Sequence, residues 1–406
     1  MKFKERALST QIRKAVKTFP ALVLTGPRQA GKTTLLKKMF AATHEFVSME
    51  NPDVRMRMQA DPVGFISRLK GPVIIDEIQY MPELFSYIKS AIDIKRKPGQ
   101  WLLTGSQQFS LMHNVSQSLA GRAAIVSLLP FSFSELAGNG ASSKTVAEWL
   151  RGHESMPRMR IKLTDHLLRG FYPEIALNRK VDRNLWCGSY INTYLERDIR
   201  NIAQVGDLSQ FERFVTMCAV RTGQILNLSE MARDIGISVP TAKRWILLLE
   251  TGFQIFLLYP YYRNIGKRLV KSPKLYFNDP ALCCYLLGLT DPETLQKSPH
   301  FGSIFETMIV IDFWKRFVHA GMKPSLYYIR TQDGLQVDLA LDVEGKLHLF
   351  EIKSGMTITP HHASSLVRLK NDLKDQVQSA AIISRAENLD VISHNIHHYN
   401  WTELFS

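Results

Sequence analysis

Apolar and polar positions along the chain change their period twice. Up to about residue 140 the apolar residues come in short unbroken runs: Ala21 to Leu24, the middle of HEFVSMENP, Val73 to Ile75, Trp101 to Leu103, and AAIVSLL after Arg122. Such runs, with helical stretches between them like the one from Asp61-Pro62 to Leu69, predict strands buried on both faces of a parallel sheet. The polar segment NGASSK is a loop, and from Val146 to about Arg200 the spacing turns helical, which predicts an α-helical lid. Leu226 to Glu250 reads as helix, tight turn at Gly236, N-cap at Ser238 and second helix. On that second helix Ile246, Leu247 and Leu249 face inward, and Thr241, Lys243 and Arg244 face out. FQIFLLYPYY, the basic turn RNIGKR and KLYFN then predict a hairpin wing, hence a winged helix. The last hundred residues predict a separate α/β unit. Its parts are an amphipathic helix GSIFETMIVIDFWKRF, a β-meander turning at Asp333-Gly334 and Glu344-Gly345, and closing strands AAIIS and HNIHHYNW with surface histidines.

Composition narrows the setting. A length of 406 residues corresponds to two or three domains, and 45% hydrophobic with 22% charged residues is a globular, not a disordered, balance. Lys and Arg number 51 against 37 Asp and Glu, a net charge of +14 that favours a polyanionic partner such as DNA. An anionic membrane would attract the same charge. No apolar run of about 18 residues is present, however, and MKFKERALSTQ lacks the apolar segment of a signal peptide, so a cytoplasmic protein without membrane contact is expected. Cys187, Cys218, Cys283 and Cys284 have no metal or disulfide spacing and are expected as buried thiols.

The chemistry concentrates after the first apolar run. Gly26 to Thr33 fits G-x-x-x-x-G-K-[ST], with a strand before it and a helix after it. Gly26 and Gly31 let backbone N–H groups turn in around a polyphosphate, with Arg28, Gln29, Ala30 and Thr34 completing the cradle at a helix N-terminus. Lys32 is then aimed at the β- and γ-phosphates of ATP, and the Thr33 hydroxyl at Mg²⁺. Val73 to Ile75 ends in Asp76-Glu77, where Asp76 would hold Mg²⁺ through water and Glu77 would polarise the attacking water. Ser106 or Gln107, at the end of the next strand, would read the γ-phosphate or the lytic water, or else forms an ordinary turn. Arg122 is a candidate for stabilising transition-state charge, in cis or across a subunit boundary, against the commoner role of a surface charge.

A second acidic group lies near the end. Strand alternation puts Glu351 and Lys353 on one face with Ile352 opposite, and Asp338 sits on the preceding strand. Two carboxylates and a lysine on adjacent strands can hold a divalent cation beside a phosphodiester, with Asp338 and Glu351 as ligands. By residue type alone they are equally a solvated strand face. For DNA contact through the winged helix, the candidates are Lys243, Arg244, Lys267 and Arg268.

Together, GPRQAGKTT, VIIDEIQ, LLTGSQ, LAGRAAIVSLLPFS, GFYPE, SYINTYLERDI, KLYFND and FEIKSG, spread over nearly the whole length, resemble a known group. These are the bacterial and archaeal ATP-binding proteins that join an AAA-type ATPase, a winged helix and a C-terminal restriction-endonuclease-like domain. The resemblance implies an α/β fold class: a P-loop AAA-type parallel sheet with a helical lid, a winged-helix module and a C-terminal mixed α/β domain. The corresponding bounds are 1–140, 141–206, 207–280 and 281–406. It implies that Gly170 to Pro173 is the glycine-x-proline element before the lid, with Pro173 near the adenine. It also implies that Glu306, Asp338, Glu351 and Lys353 match the helix acid and the D…ExK positions of that nuclease fold. HHASSLVRLKND departs from the glutamine-bearing or basic helix usual at the next position. The implied cofactors are ATP and Mg²⁺, with Mn²⁺ as an alternative at the nuclease-like site. The implied partners are structured or branched DNA and further copies of the chain, a hexamer being one size. Two functions follow: a DNA-linked ATPase with a metal-dependent nuclease domain, or a nucleotide-gated oligomeric switch whose C-terminal domain only binds DNA or protein.

Overall fold

A computed structural model describes residues 3–69, 71–106, 118–152, 162–193, 208–261, 272–331, 334–387, 391–393 and 395–405. Five of the apolar runs become strands β1 (Ala21–Thr25), β2 (Glu45–Ser48), β3 (Val73–Asp76), β4 (Trp101–Thr104) and β5 (Ala123–Ser127). They form an all-parallel sheet in the order β2-β3-β4-β1-β5, with Val23 opposite Leu103 on one side and Ile125 on the other. Because side chains alternate along a strand, each run divides between two cores. Leu22, Leu24, Ile74 and Leu102 pack under the helices Ser9–Thr18 and Lys32–Phe40. Val23, Ile75 and Leu103 pack against Leu84, Ile88 and Ile92 of the helix Leu84–Ile94. From β1 the chain goes to the far edge at β2, works back to β4 and crosses over to β5. That reversal opens a crevice at the carboxyl ends of β1, β3 and β4.

The middle of the chain has two helices, Leu228–Ile235 and Val239–Thr251, joined at Gly236, whose φ of +80° favours a residue without a Cβ. Ser238 caps the second by accepting from the Thr241 N–H at 3.2 Å. Ile246 and Leu249 are buried as expected, whereas Leu247 is 54% exposed and not part of the inward face. Strands β6 (Gln224–Ile225), β7 (Ile255–Leu258) and β8 (Lys274–Phe277) form an antiparallel sheet in the order β6-β8-β7. Lys267 and Arg268 lie outside the described residues.

The C-terminal region begins with a long helix, Phe301–His319, followed by β9 (Leu326–Arg330), β10 (Gln336–Val343) and β11 (Lys346–Lys353) as an antiparallel meander. A helix, Ser364–Leu373, leads to β12 (Val377–Ser384), and β13 (Val391–Ser393) and β14 (Ile396–Asn400) follow. The sheet order is β13-β14-β12-β11-β10-β9, with β11, β12 and β14 parallel. Glu344-Gly345 turns as expected, with φ of +54° and +78°; Asp333 lies outside the described residues.

Two expectations need correction here. The long helix is not amphipathic but buried on nearly every side, its polar Asp312, Lys315, Arg316 and His319 included. The reason is that it runs through the middle of one continuous core. That core joins Trp149 and Leu167 of the helical stretch after β5, Trp245 and Tyr276 of the middle module, and Phe305, Phe313, Phe350 and Trp401 of the C-terminal region, so the C-terminal domain, with a mixed sheet of its own, is packed onto the modules before it. Of the closing histidines, His397 is exposed, but His398 is buried and shares a hydrogen bond of 2.8 Å with the Ser384 hydroxyl. All four cysteines are buried thiols.

Candidate active site

At the end of β1 the backbone passes so close to the strand exit of β5 that a Cβ on Gly26 would lie 2.1 Å from the Leu128 carbonyl oxygen, at a φ of +136°. Only glycine fits there. Gln29 and Gly31 also take positive φ, +59° and +94°, and the loop curls onto the N-terminus of the helix Lys32–Phe40. Within it Ala30 is buried, Arg28 half-buried, and Gln29 and Thr34 exposed. Lys32 is buried, and its ammonium donates to the carbonyls of Gly26 (3.0 Å) and Pro27 (2.8 Å), which hold it at the centre of the loop. These neutral acceptors are weaker partners than an anionic phosphate.

The strand order brings the acidic pair to the same place. The Thr33 hydroxyl donates to Asp76 Oδ1 at 2.7 Å, and the Thr104 hydroxyl donates to the same oxygen at 2.6 Å. Thr104 also accepts from the Glu77 N–H at 3.1 Å, so one buried hydroxyl fixes both acids. Glu77 sits in the left-handed region, φ +53° and ψ +48°. That conformation costs a residue with a side chain about 1–3 kcal/mol and persists only where surrounding bonds impose it. Its carboxylate accepts from the Ser106 hydroxyl at 3.2 Å and from the Gln79 amide. Thr33 and Asp76 offer hard oxygens side by side at the loop, a donor set that suits Mg²⁺. Gln107 lies outside the described residues.

Behind the loop, buried Arg6 donates to the Ala30 carbonyl at 3.0 Å, to the Leu129 carbonyl at 2.5 Å and to Glu135 Oε1 at 3.0 Å. Burial alone would raise the Glu135 carboxyl, but Arg6 and His319 outweigh it and bring it down to about 2. Pro173 also arrives: its Cγ is 3.9 Å from where a Cβ on Gly31 would be. Arg122 does not. It precedes β5, at the opposite end of the sheet from the loop, where its carbonyl accepts from the Ala21 N–H and its guanidinium grips both oxygens of Asp93 at 2.6 and 3.0 Å. A role in cis is therefore corrected, since a five-residue strand, about 16 Å, separates it from the loop.

Thr104, Gln79 and Arg6 had not been singled out from the sequence. Thr104 carried the same signal as Ser106, a polar residue at the carboxyl end of a buried run. Arg6 carried none, because its partners Ala30, Leu129 and Glu135 are 24, 123 and 129 residues away.

The second cluster assembles across the modules. Glu306, one turn into the long helix, accepts at Oε1 from Lys274 Nζ (2.9 Å) and from the Tyr276 hydroxyl (2.6 Å). Asp338 Oδ1 accepts from Lys274 at 3.3 Å, and its Oδ2 accepts from the Ile352 N–H at 3.1 Å. Glu351 Oε1 accepts from Lys353 at 2.5 Å. Lys274 and Tyr276, two apart on β8, were not foreseen. Lys243 and Arg244 are exposed on the helix Val239–Thr251.

Residues 18–137 match the AAA domain family, residues 160–293 a domain of unknown function (DUF8612) and residues 301–404 another (DUF4143). The uncharacterized protein Rv2008c of Mycobacterium tuberculosis is 32% identical over 390 residues, 96% of this chain and 81% of that protein; the uncharacterized protein Mb2031c of Mycobacterium bovis matches equally. The chain belongs to their family, one of AAA-type ATPases. Among solved structures, a Walker-type ATPase of Pyrococcus abyssi aligns with a TM-score of 0.44 at 14% identity, over 71% of this chain and 99% of that one. The RuvB branch-migration motor of Thermotoga maritima aligns at 0.27 and 16% identity, over 61% and 88%. The part of the chain that matches the AAA domain is the five-stranded sheet with its crevice. No helix among the described residues is long and apolar enough to cross a membrane.

Proposed function

We propose that this ATPase binds ATP in the loop from Gly26 to Thr34 and hydrolyses it with Glu77 orienting the attacking water. The observation that carries the reading is the single hydroxyl of Thr104, which ties Asp76 and Glu77 into one rigid unit 2.7 Å from Thr33. Mg²⁺, when bound, neutralises phosphate charge; Thr33 and Asp76 are the residues to hold it. Lys32 exchanges its two carbonyl partners for phosphate oxygens. Ser106 and Gln79 keep the Glu77 carboxylate turned toward the crevice, and Pro173 covers the loop from the lid side as the residue nearest the base. Lys32→Ala is expected to lose nucleotide affinity and turnover together. Glu77→Gln is expected to bind ATP but turn it over about 10²- to 10⁴-fold more slowly. Equal turnover in wild type and Glu77→Gln would remove Glu77 from the chemistry.

DNA is the proposed partner and a homo-oligomer, such as a hexamer, the proposed working form. The net charge of +14 and the exposed Lys243 and Arg244 support the first; Arg122, from a neighbouring subunit, is the residue to test for the second. Two readings of the C-terminal region remain distinct. A nuclease acting on structured or branched DNA is favoured by a long helix and a meander that together gather Glu306, Asp338, Glu351 and Lys353. A domain that grips DNA or protein without cutting is favoured by Lys274, whose ammonium already neutralises two of the three acids. We adopt the second: no metal-dependent nicking of linear, forked or four-way DNA is expected. Nicking that disappears in Asp338→Ala would restore the first.

A further inference from the structure

Lys274 reaches the acidic cluster from a different module. Alternation on β8 turns Lys274 and Tyr276 to the same face, against Glu306 of the long helix and Asp338 of β10. Its side chain is 3% exposed, and its ammonium lies 2.9 Å from Glu306 Oε1 and 3.3 Å from Asp338 Oδ1. Burial alone would lower its pKa, but the two carboxylates outweigh burial and raise it, so the group stays charged.

We propose that Lys274 is the resident cation of this cluster, taking the place between Glu306 and Asp338 that a divalent metal would need. Hard divalent cations bind carboxylate oxygens at roughly 2.0 to 2.6 Å. A metal reaching both oxygens would therefore sit in the volume the ammonium fills, or be pressed against a like charge. Moving Lys274 aside would strand a buried ammonium without its counter-ions, which is strongly unfavourable. The other acid is also engaged: Lys353 holds Glu351 Oε1, while Glu351 Oε2 is buried without a hydrogen-bond partner among the described residues. Three carboxylates and two ammonium groups thus form a nearly balanced clamp that fastens β8 to the long helix, β10 and β11.

The test is a titration of the full nucleotide-free chain with Mn²⁺, read by electron paramagnetic resonance at neutral pH. Wild type and Asp338→Asn should bind Mn²⁺ identically, because Asp338 has no metal to lose. Lys274→Met, which ends one atom short of the ammonium and so vacates its volume and removes its charge, should gain one Mn²⁺ per chain, and Lys274→Met/Asp338→Asn should lose it again. A wild-type Mn²⁺ site that disappears in Asp338→Asn would overturn the assignment, and so would a folded Lys274→Met protein that gains nothing. If Lys274→Met fails to fold, the comparison of wild type with Asp338→Asn still decides.

Discussion

Glu77 occupies a backbone conformation that residues other than glycine rarely adopt, and the bonds that hold it there come from three side chains, Thr104, Ser106 and Gln79. Thr104→Val removes the hydroxyl while keeping the shape, so Asp76 loses a donor and the Glu77 N–H its acceptor. Turnover should fall by up to about 10²-fold, the usual cost of a catalytic group misplaced by an ångström, while ATP affinity changes little because Lys32 and the loop are untouched. Steady-state kinetics alongside direct nucleotide binding separates the two; unchanged turnover would mean that Ser106 and Gln79 suffice to hold Glu77. At this scale the phosphate loop was legible because its eight residues are contiguous and their spacing is the geometry. Asp76-Glu77 was legible once that loop had been found. Arg6 was not, since nothing near residue 6 points to a carbonyl at Ala30 or a carboxylate at Glu135.

The long helix Phe301–His319 shows what an element can hide. Its sequence reads as one apolar face and one polar face, yet both are buried, because the polar face meets the segment that follows β5. Asp312 accepts from the Phe133 N–H at 2.7 Å, Lys315 donates to the Phe131 carbonyl at 2.9 Å, and His319 Nε2 accepts from the Leu129 N–H at 3.2 Å. Periodicity reports which residues are apolar, but a buried polar stripe with partners in another region is invisible to it. An acceptor at Nε2 means a neutral ring with its proton on Nδ1, which faces Glu135 Oε1 at 3.5 Å. Burial, against the pull of Glu135 and with the help of Arg6 and Lys315, lowers the His319 pKa to about 4. Since the unfolded chain binds that proton from pH 6.5 downward and the fold does not, the stability His319 contributes is complete above pH 6.5 and falls as the pH drops toward 4. The size is roughly 3 kcal/mol at one pKa unit per 1.4 kcal/mol. Asp279, raised to about 6 chiefly by burial, has the opposite slope over much of that window, and Glu135 loses its contribution only from pH 4.5 down to 2. The quantity to read is therefore the difference in urea stability between wild type and His319→Gln as a function of pH. That difference should shrink as the pH falls from 6.5 to 4; a flat difference would show that the ring titrates normally.

At the scale of the whole molecule, the order of modules was legible from the change of hydrophobic period, but their fusion was not. Shared cores depend on contacts between residues hundreds apart, which no local pattern carries. Phe256 of β7 stacks on Trp314 of the long helix at 4.9 Å, and the chain leaving β7 goes on to pair with β9 through the Tyr261 N–H and the Tyr328 carbonyl at 2.7 Å. One end of the middle hairpin is thus occupied by protein. The module still offers to DNA its second helix, with Lys243 and Arg244 side by side in solvent. If those two residues contact phosphates, binding follows counterion release: the logarithm of affinity falls linearly with the logarithm of salt, by about 0.9 for each phosphate neutralised. The variant carrying Lys243→Ala and Arg244→Ala should then weaken binding to every duplex sequence alike and reduce that salt slope by about 2, since neither residue is asked to read a base. ATP turnover without DNA should be unchanged, because neither residue is among those assigned to the phosphate loop. Fluorescence anisotropy over a range of KCl concentrations measures the slope directly. An unchanged slope would assign the excess positive charge to another surface and leave this helix without a role in DNA binding.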